Sequence, residues 1–189
     1  MSPTIAVLAL QGAFIEHEQR LQSLGCTTIE LRQAADLARP FDGLVLPGGE
    51  STVQAKLLHD LGMFEPLRQR IAEGLPALGT CAGLILLADH FRTLPVTVRR
   101  NAYGRQLGSF MATENVATFH ADGTPAGVIE NFPLVFIRGP FVAETGANAR
   151  VMCEANGNTV ALQQGRILAT AFHPEITPDT RIHEFFLII

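Results

Sequence analysis

A cysteine flanked by two glycines is the first feature of this sequence that could do chemistry. Gly79, Cys81 and Gly83 have the spacing of a nucleophile elbow, with Cys in the place of Ser. In such an elbow a buried strand turns sharply into a helix, and the glycines remove Cβ atoms that would collide. The helix directs its positive end at the sulfur and favours the reactive thiolate. The alternative is a small core residue, since free cysteine is usually buried and inert.

A histidine and a glutamate separated by one proline form the second candidate. His173, Pro174 and Glu175 follow the last strand-like segment of the chain. Together with Cys81 they could form a relay in which His173 activates the thiol and Glu175 orients the imidazole. Because Cys81 lies far away in the chain, only a fold can bring these groups together. An isolated His-Pro-Glu would more simply be a loop histidine beside a solvated carboxylate.

A pair of glycines at 47–51 (PGGES) is the third candidate. Backbone amides at Gly48 and Gly49, together with that of Ala82, could hold the oxyanion of a tetrahedral intermediate. A plain turn or a phosphate-binding loop would have the same composition. No Gly-Lys-Ser/Thr follows, so an NTP-binding P-loop is poorly supported.

The first half of the chain alternates strand-like and helix-like segments. Strands are predicted at 5–10, 27–31, 43–46 and 75–80, and helices at 16–24 and 65–73. A further helix is predicted to end at about residue 60, with Ser51 or Thr52 as its N-cap. This alternation predicts a parallel sheet covered by helices on both faces. In such sheets the ligand crevice lies beyond the carboxyl ends of the strands. We therefore expect Gln11, residues 47–51 and Cys81 to meet at one edge.

The second half reads differently, because shorter strand-like runs replace the alternation. They lie at 96–99, 134–137, 149–154, 159–163 and 167–171, with Gln164-Gly165 as a turn and a final helix from 179. These runs resemble hairpins more than βαβ units. No internal repeat or linker interrupts the chain, so we expect a single domain over residues 1–189.

Composition excludes several classes of protein. Hydrophobic residues make up 47% of the 189 residues and charged residues 17%, as in a globular protein. The net charge of -4 argues against a nucleic-acid or anionic-membrane partner, and no apolar run is long enough to span a bilayer. Cys26, Cys81 and Cys153 are too widely spaced for a disulfide framework or a metal cluster. Nothing at the N-terminus reads as a signal peptide, so the cytoplasm is the expected compartment.

Several short motifs together carry a family resemblance. They are Leu10-Gln11-Gly12, Glu16-His17, 46–51 (LPGGES), 79–87 (GTCAGLILL), 100–106 (RNAYGRQ), Ser109-Phe110, Phe136-Ile137-Arg138 and 172–175 (FHPE). In this order they resemble the glutaminase subunits of two-subunit pyridoxal 5′-phosphate synthases, which are class I glutamine amidotransferases. The elbow and the His-x-Glu would be common to all class I enzymes. The stretch 100–106 and the Leu-Gln-Gly opening narrow the resemblance to this subfamily.

The resemblance implies both a fold and a reaction. The fold would be a three-layer, flavodoxin-like α/β sandwich with a mostly parallel central sheet and an antiparallel extension in the C-terminal half. Cys81 would attack the carboxamide of glutamine, and His173 would protonate the departing ammonia. Water would then cleave the γ-glutamyl thioester with His173 as the base and Glu175 as its orienting group.

The resemblance also implies a set of binding residues. Glutamine would be held by Gly49, Glu50, Ser51, Arg100, Ile137 and Arg138. A guanidinium suits the substrate carboxylate, and Glu50 or carbonyls suit its ammonium. Without the resemblance, Arg100 and Arg138 could equally be solvated surface charges. Gln11 would couple the active site to a partner surface, and His17 would contribute to that partner face.

The implied partner is a (β/α)8 synthase subunit that builds the cofactor from a pentose phosphate, a triose phosphate and ammonia. Pyridoxal phosphate would be the product of the complex, so no cofactor and no metal are expected in this chain. Family members work poorly until the partner binds, which makes the loop 47–51 a candidate switch. The alternatives are the glutaminase subunit of another class I synthase, such as that of the histidine pathway, and a catalytically idle interaction module. The stretch 100–106 argues against the first, and the intact Cys81, His173 and Glu175 argue against the second.

Overall fold

The computed structural model describes residues 2–100 and 109–189, and strands dominate its second half. The strands are β1 (Thr4–Leu8), β2 (Thr27–Leu31), β3 (Gly43–Leu46), β4 (Ala77–Thr80), β5 (Val96–Arg99), β6 (Ser109–Phe119), β7 (Pro125–Ile137), β8 (Phe141–Thr145), β9 (Arg150–Ala155), β10 (Asn158–Gln164) and β11 (Ile167–Thr170). The helices are α1 (Phe14–Ser23), α2 (Ser51–Asp60), α3 (Phe64–Ala72), α4 (Ala82–Ile85) and α5 (Arg181–Phe186). Short 3₁₀ segments lie at Ala34–Ala38 and Pro174–Ile176, and a π-helical turn at Leu86–His90 continues α4.

The described strands form one large sheet and one separate pair. The sheet has the order β2-β1-β3-β4-β11-β10-β8-β5, and β9 pairs with β10. From β2 to β11 the neighbours are parallel, whereas the pairs made by β10, β8, β9 and β5 beyond β11 are antiparallel. This topology confirms the predicted α/β fold with a parallel centre and an antiparallel extension.

The parallel strands form the hydrophobic core. Residues Leu44 to Leu46 of β3 and Ala77 and Leu78 of β4 have no exposed surface, so side chains pointing to both faces are covered. Burial on both faces is typical of a sheet with crossover helices, and it explains why these strands read as continuous apolar runs. Every helix in the parts of the chain described here is too short or too polar to cross a membrane.

One predicted detail of the elements is wrong and another is incomplete. The N-cap of α2 is Glu50, whose side chain accepts a hydrogen bond from Thr52 N, and not Ser51 or Thr52. The run predicted at 134–137 is only the end of β7, which pairs along its length with β6 in a separate two-stranded sheet. Strands β6 and β8 were not predicted at all.

Candidate active site

Two adjacent parallel strands bring the catalytic candidates to one edge of the sheet. β4 and β11 pair in parallel, so their carboxyl ends lie side by side, and Cys81 follows one strand while His173 follows the other. The Cys81 N–H donates to the carbonyl of Thr170 at 2.8 Å, which joins the two strand ends directly. The pairing of β4 with β11 thus brings Cys81 and His173 together, although they lie far apart in the sequence.

The backbone at Cys81 makes the sharp turn that the glycine spacing predicts. Cys81 has φ 51° and ψ -101°, a sparsely populated conformation for a residue other than glycine. A Cβ atom on Gly83 would lie 2.0 Å from the carbonyl oxygen of Leu46, and one on Gly79 would lie 2.7 Å from the carbonyl of Gly83. Neither position can therefore carry a side chain without a shift of the backbone. The thiol is held on a strained turn at the start of α4.

His173 is linked to both neighbouring groups. Its Nδ1 lies 2.7 Å from Glu175 Oε1, and its ring lines the same space as Cys81. Burial of the ring disfavours the charged form, but the interactions of the ring with Cys81 and Glu175 outweigh it and raise the pKa of His173 to about 10. The imidazole is therefore protonated at neutral pH, ready to give up a proton.

Glu175 is buried and is held from two sides by α1. Its Oε2 lies 3.4 Å from His17 Nε2, and Arg20 Nε donates to its backbone carbonyl at 3.1 Å. Burial opposes the carboxylate charge, but His17 and the hydrogen bond from His173 together hold its pKa below the ordinary value. Glu175 is thus an ionised acceptor for the imidazolium of His173.

The loop 47–51 packs against these side chains and is fixed by the segment before α1. The carbonyl of Gly48 accepts a hydrogen bond from Ala13 N at 3.0 Å, and Glu50 N donates to Gln11 Oε1 at 2.8 Å. A Cβ atom on Gly49 would lie 2.4 Å from Gln11 Oε1. Gln11 and the glycine pair therefore meet at this edge, as the strand ends predicted.

A cavity of about 170 Å³ opens beside the sulfur of Cys81. Its lining comprises Gly49, Glu50, Ser51, Cys81, Ala82, Ile85, Arg100, Arg138 and Pro140. Among the residues predicted to bind glutamine, all except Ile137 lie here. Ile137 lines a neighbouring space of about 330 Å³ that also contacts Gln11, Cys81 and His173. Cys81 lines both spaces.

Arg100 is placed at the cavity by contacts that the sequence did not predict. Its Nη2 donates to Asp89 Oδ2 at 3.0 Å, and its Nη1 lies 3.4 Å from Thr52 Oγ1. Asp89 belongs to the π-helical turn after α4, where no motif marked it. The rest of the stretch 100–106, which narrowed the family resemblance, lies outside the described residues.

One predicted position is wrong. His17 was expected to contribute to a partner face, but its side chain has no exposed surface. It lies under the site, with Nε2 3.0 Å from Thr80 Oγ1 and Nδ1 3.0 Å from His183 Nε2. A ring enclosed in this way offers no surface to a partner. Within residues 2–100 and 109–189, no three His, Cys, Asp or Glu side chains are grouped to hold a metal ion.

Comparison with known proteins now identifies the family. The model of the SNO glutamine amidotransferase family matches residues 7–188. This chain belongs to that family. The SNO relatives include the pyridoxal 5′-phosphate synthase subunit PdxT of Bifidobacterium adolescentis, 51% identical, with 96% of this chain and 98% of that protein covered. The subunit of the same name from Methanocorpusculum labreanum is 50% identical, with 97% and 95% covered.

Solved structures agree with the SNO assignment. A crystal structure of a glutamine amidotransferase superposes with a TM-score of 0.84 at 36% identity, covering 97% of each chain. Another glutamine amidotransferase, from Thermotoga maritima, has the same fold, with a TM-score of 0.64 at 18% identity and 92% and 76% of the two chains covered. The predicted glutamine amidotransferase fold is therefore confirmed.

Proposed function

We propose that this chain is the glutaminase subunit of a pyridoxal 5′-phosphate synthase. It hydrolyses L-glutamine to L-glutamate and ammonia within a single domain over residues 1–189, and it passes the ammonia to a synthase subunit. The observation that carries the proposal is the convergence of Cys81, His173 and Glu175 at the carboxyl edge of the parallel sheet, with His173 hydrogen-bonded to Glu175. Membership of the SNO family and the names of its relatives point to the same reaction.

The first half of the reaction uses Cys81 as nucleophile and His173 as acid. The thiolate attacks the side-chain carbonyl carbon of glutamine, and the carbonyl becomes an oxyanion. Backbone amides of Gly48, Gly49 and Ala82 would hold this charge. When the C–N bond breaks, His173 gives its proton to the nitrogen, ammonia leaves, and a γ-glutamyl thioester remains on the sulfur.

The second half uses the same imidazole as a base. The now neutral His173 takes a proton from water, and the hydroxide attacks the thioester carbonyl. Breaking the C–S bond releases glutamate and returns the thiolate, while the imidazolium is restored. Glu175 keeps its charge throughout and orients the His173 ring in both of its protonation states.

The cavity of about 170 Å³ is proposed as the glutamine pocket. Arg100 and Arg138 supply guanidinium groups for the α-carboxylate, and Glu50 supplies a carboxylate for the ammonium. Gly49 and Ser51 line the same pocket, and Ile137 borders the site from the neighbouring space. A zwitterionic substrate fits a pocket with both signs of charge.

The partner is proposed to be a (β/α)8 synthase subunit that combines ammonia with a pentose phosphate and a triose phosphate. Gln11 is the candidate link between that partner and the oxyanion loop, because it accepts a hydrogen bond from Glu50 N. Movement of the Gln11 side chain would release the loop 47–51. The peptide of Gly48 and Gly49 could then turn at little cost.

Glutamate release from glutamine, measured with and without the cognate synthase, tests the function. We expect release that rises when the synthase is present, and none from Cys81→Ala in either case. Cys153→Ala is the matched control, because burial and nearby carboxylates raise the pKa of that thiol to about 12 and leave it unreactive. Turnover by Cys81→Ala would refute the triad. A wild-type protein that releases glutamate only with a different synthase would belong to another amidotransferase.

A further inference from the structure

Two buried histidines lie behind the triad and have no part in the reaction described above. His17 belongs to α1 and His183 to α5, and neither side chain has any exposed surface. They contact each other through His17 Nδ1 and His183 Nε2, 3.0 Å apart. The other nitrogen of His17 faces Thr80 and the free oxygen of Glu175. The triad therefore continues inward from its carboxylate through two further imidazoles.

The hydrogen-bond partners decide which nitrogen of His17 carries the proton. If Nδ1 carried it, the lone pair of Nε2 would face the Glu175 carboxylate at 3.4 Å. His183 would then have to accept at Nε2 and carry its own proton on Nδ1. Within the described residues His183 Nδ1 is buried without a hydrogen-bond partner, and a buried N–H without an acceptor is costly.

The opposite arrangement avoids both penalties. His183 then donates from Nε2 to His17 Nδ1, and His17 directs its Nε2–H toward Thr80 Oγ1 and the carboxylate. The nitrogen left without a partner is only an acceptor, and an unmatched acceptor costs less than an unmatched donor. Glu175 Oε2, which forms no regular hydrogen bond in the described part of the chain, then has a positive N–H dipole facing it.

Both imidazoles are neutral, so they act as fixed dipoles. Burial lowers the pKa of His17, and the neighbouring His173 adds to this against the pull of Glu175. Burial also lowers the pKa of His183 to about 3. Burial therefore favours the neutral form of both rings. A group that keeps one tautomer can hold a carboxylate in one orientation.

We propose that His17 is a positioning residue for Glu175, and that His183 fixes the tautomer in which His17 donates to the carboxylate. With Oε2 held by His17, Oε1 stays directed at His173 Nδ1. Removal of the donor would leave the carboxylate free to rotate and the imidazole poorly aligned with Cys81. This inference deepens the proposed glutaminase function and rests on it.

The test compares two amide substitutions at one position. The amide of Gln at position 17 reaches about as far as the imidazole Nε2, whereas the amide of Asn reaches only as far as Nδ1. His17→Gln can therefore still donate toward Glu175, and His17→Asn cannot. His120→Leu, at an exposed turn position, is the control for substitution of a histidine. All variants are assayed in complex with the synthase.

We expect His17→Asn to lower kcat by about 10- to 100-fold, the size known for loss of a hydrogen bond that orients a metal ligand, and to leave the KM for glutamine nearly unchanged. His17→Gln should retain most of the kcat. In the same variants, the pKa of the His173 ring, followed by NMR, should fall in His17→Asn and stay high in His17→Gln. If His17 had a purely structural role, both substitutions would lower the thermal stability to a similar extent, and the pKa of His173 would be the same in the two variants.

Equal kcat values for the two variants, whether both high or both low, would overturn the proposal. So would an unchanged His173 pKa in His17→Asn. Failure of the proposed function would give a different result, because the wild-type complex would then release no glutamate. The NMR titration of His173 still tests the positioning role in that case.

Discussion

A methyl group on Gly48 would lie 2.4 Å from Cε1 of His173, well inside the contact distance of two carbon atoms. The same methyl would lie 3.5 Å from Cβ of Cys81. The loop that carries the proposed oxyanion amides thus has its first glycine directly against the nucleophile–base pair. Glycine is needed here because of space rather than backbone conformation, since Gly48 is not among the positive-φ glycines.

Replacement of Gly48 by alanine should therefore disable the site without unfolding the protein. The new methyl must displace the His173 ring or the loop, and a displacement near 1 Å can cost about 100-fold in rate. Overpacking of this kind typically costs about 1–3 kcal/mol of stability, which a domain of this size can tolerate. We expect kcat to fall by about 100-fold, measured as glutamate release by the complex, while the protein still unfolds cooperatively.

Gly127→Ala is the matched control for Gly48→Ala. It lies in the exposed β6–β7 hairpin, where an added methyl would meet only Thr118 Oγ1 at an ordinary 3.6 Å. This variant should keep the wild-type rate. A Gly48→Ala enzyme that is as active as Gly127→Ala would show that the ring and the loop do not share the space as described.

The pocket makes a separate prediction about Arg100. Its proposed role is limited to the α-carboxylate of glutamine, away from the carbonyl that reacts. A hydrogen bond between charged groups contributes about 1.5–3 kcal/mol, so Arg100→Met should raise the KM for glutamine by about tenfold or more. The kcat at saturating glutamine should change little, because the lost contact is equal in the ground and transition states.

Arg99→Met is the control for Arg100→Met, because Arg99 is the exposed neighbour at the end of β5 and does not line the cavity. Steady-state kinetics over a wide range of glutamine concentrations separates KM from kcat. If the KM of Arg100→Met equals that of Arg99→Met, Arg100 takes no part in substrate recognition.

The elbow and the parallel strands could be predicted because their causes are local. Glycine two residues before and after Cys81 removes collisions that lie within the elbow itself and at Leu46. A strand buried on both faces must be apolar at every position, which made β1 and β3 recognisable from sequence. Both signals can be read from the segment itself, although one of the collisions that the glycines avoid is with Leu46 of β3.

The position of His17 could not be predicted, because its cause is not local. In the sequence it follows Glu16 in an amphipathic helix, a setting that is typical of a surface residue. The ring is enclosed by the packing of α1 against the 3₁₀ segment Pro174–Ile176 and by contacts with Thr80 and with His183 of α5. The long β6–β7 hairpin was missed for a related reason. Exposed apolar side chains such as Met111 and Val128 obscure the alternation that marks a strand.

Removal of the charge at Glu175 should change the pH dependence of catalysis. The pKa of His173 is about 10, above its ordinary value of 6.5, and Glu175 is one of the groups that raise it. The imidazolium that protonates ammonia is present below this pKa and is lost as the pH rises through it. In Glu175→Gln the pKa falls, so the alkaline limb of kcat/KM should move to lower pH.

The expected displacement of that limb is about one pH unit or more, which corresponds to at least ~1.4 kcal/mol of lost preference for the charged ring. Some activity remains, because Glu175 orients the base and does not react. Rate profiles from pH 6 to 11 for the wild type, Glu175→Gln and the exposed control Glu130→Gln measure the displacement.

The same pKa also governs stability: protonation of His173 stabilises the fold fully below pH 6.5, and this contribution is lost as the pH rises toward 10. Urea unfolding at pH 7 and pH 10 should therefore differ more for the wild type than for Glu175→Gln. If both proteins share one alkaline limb and one pH dependence of unfolding, the high pKa of His173 has another source, and Glu175 is not part of the relay.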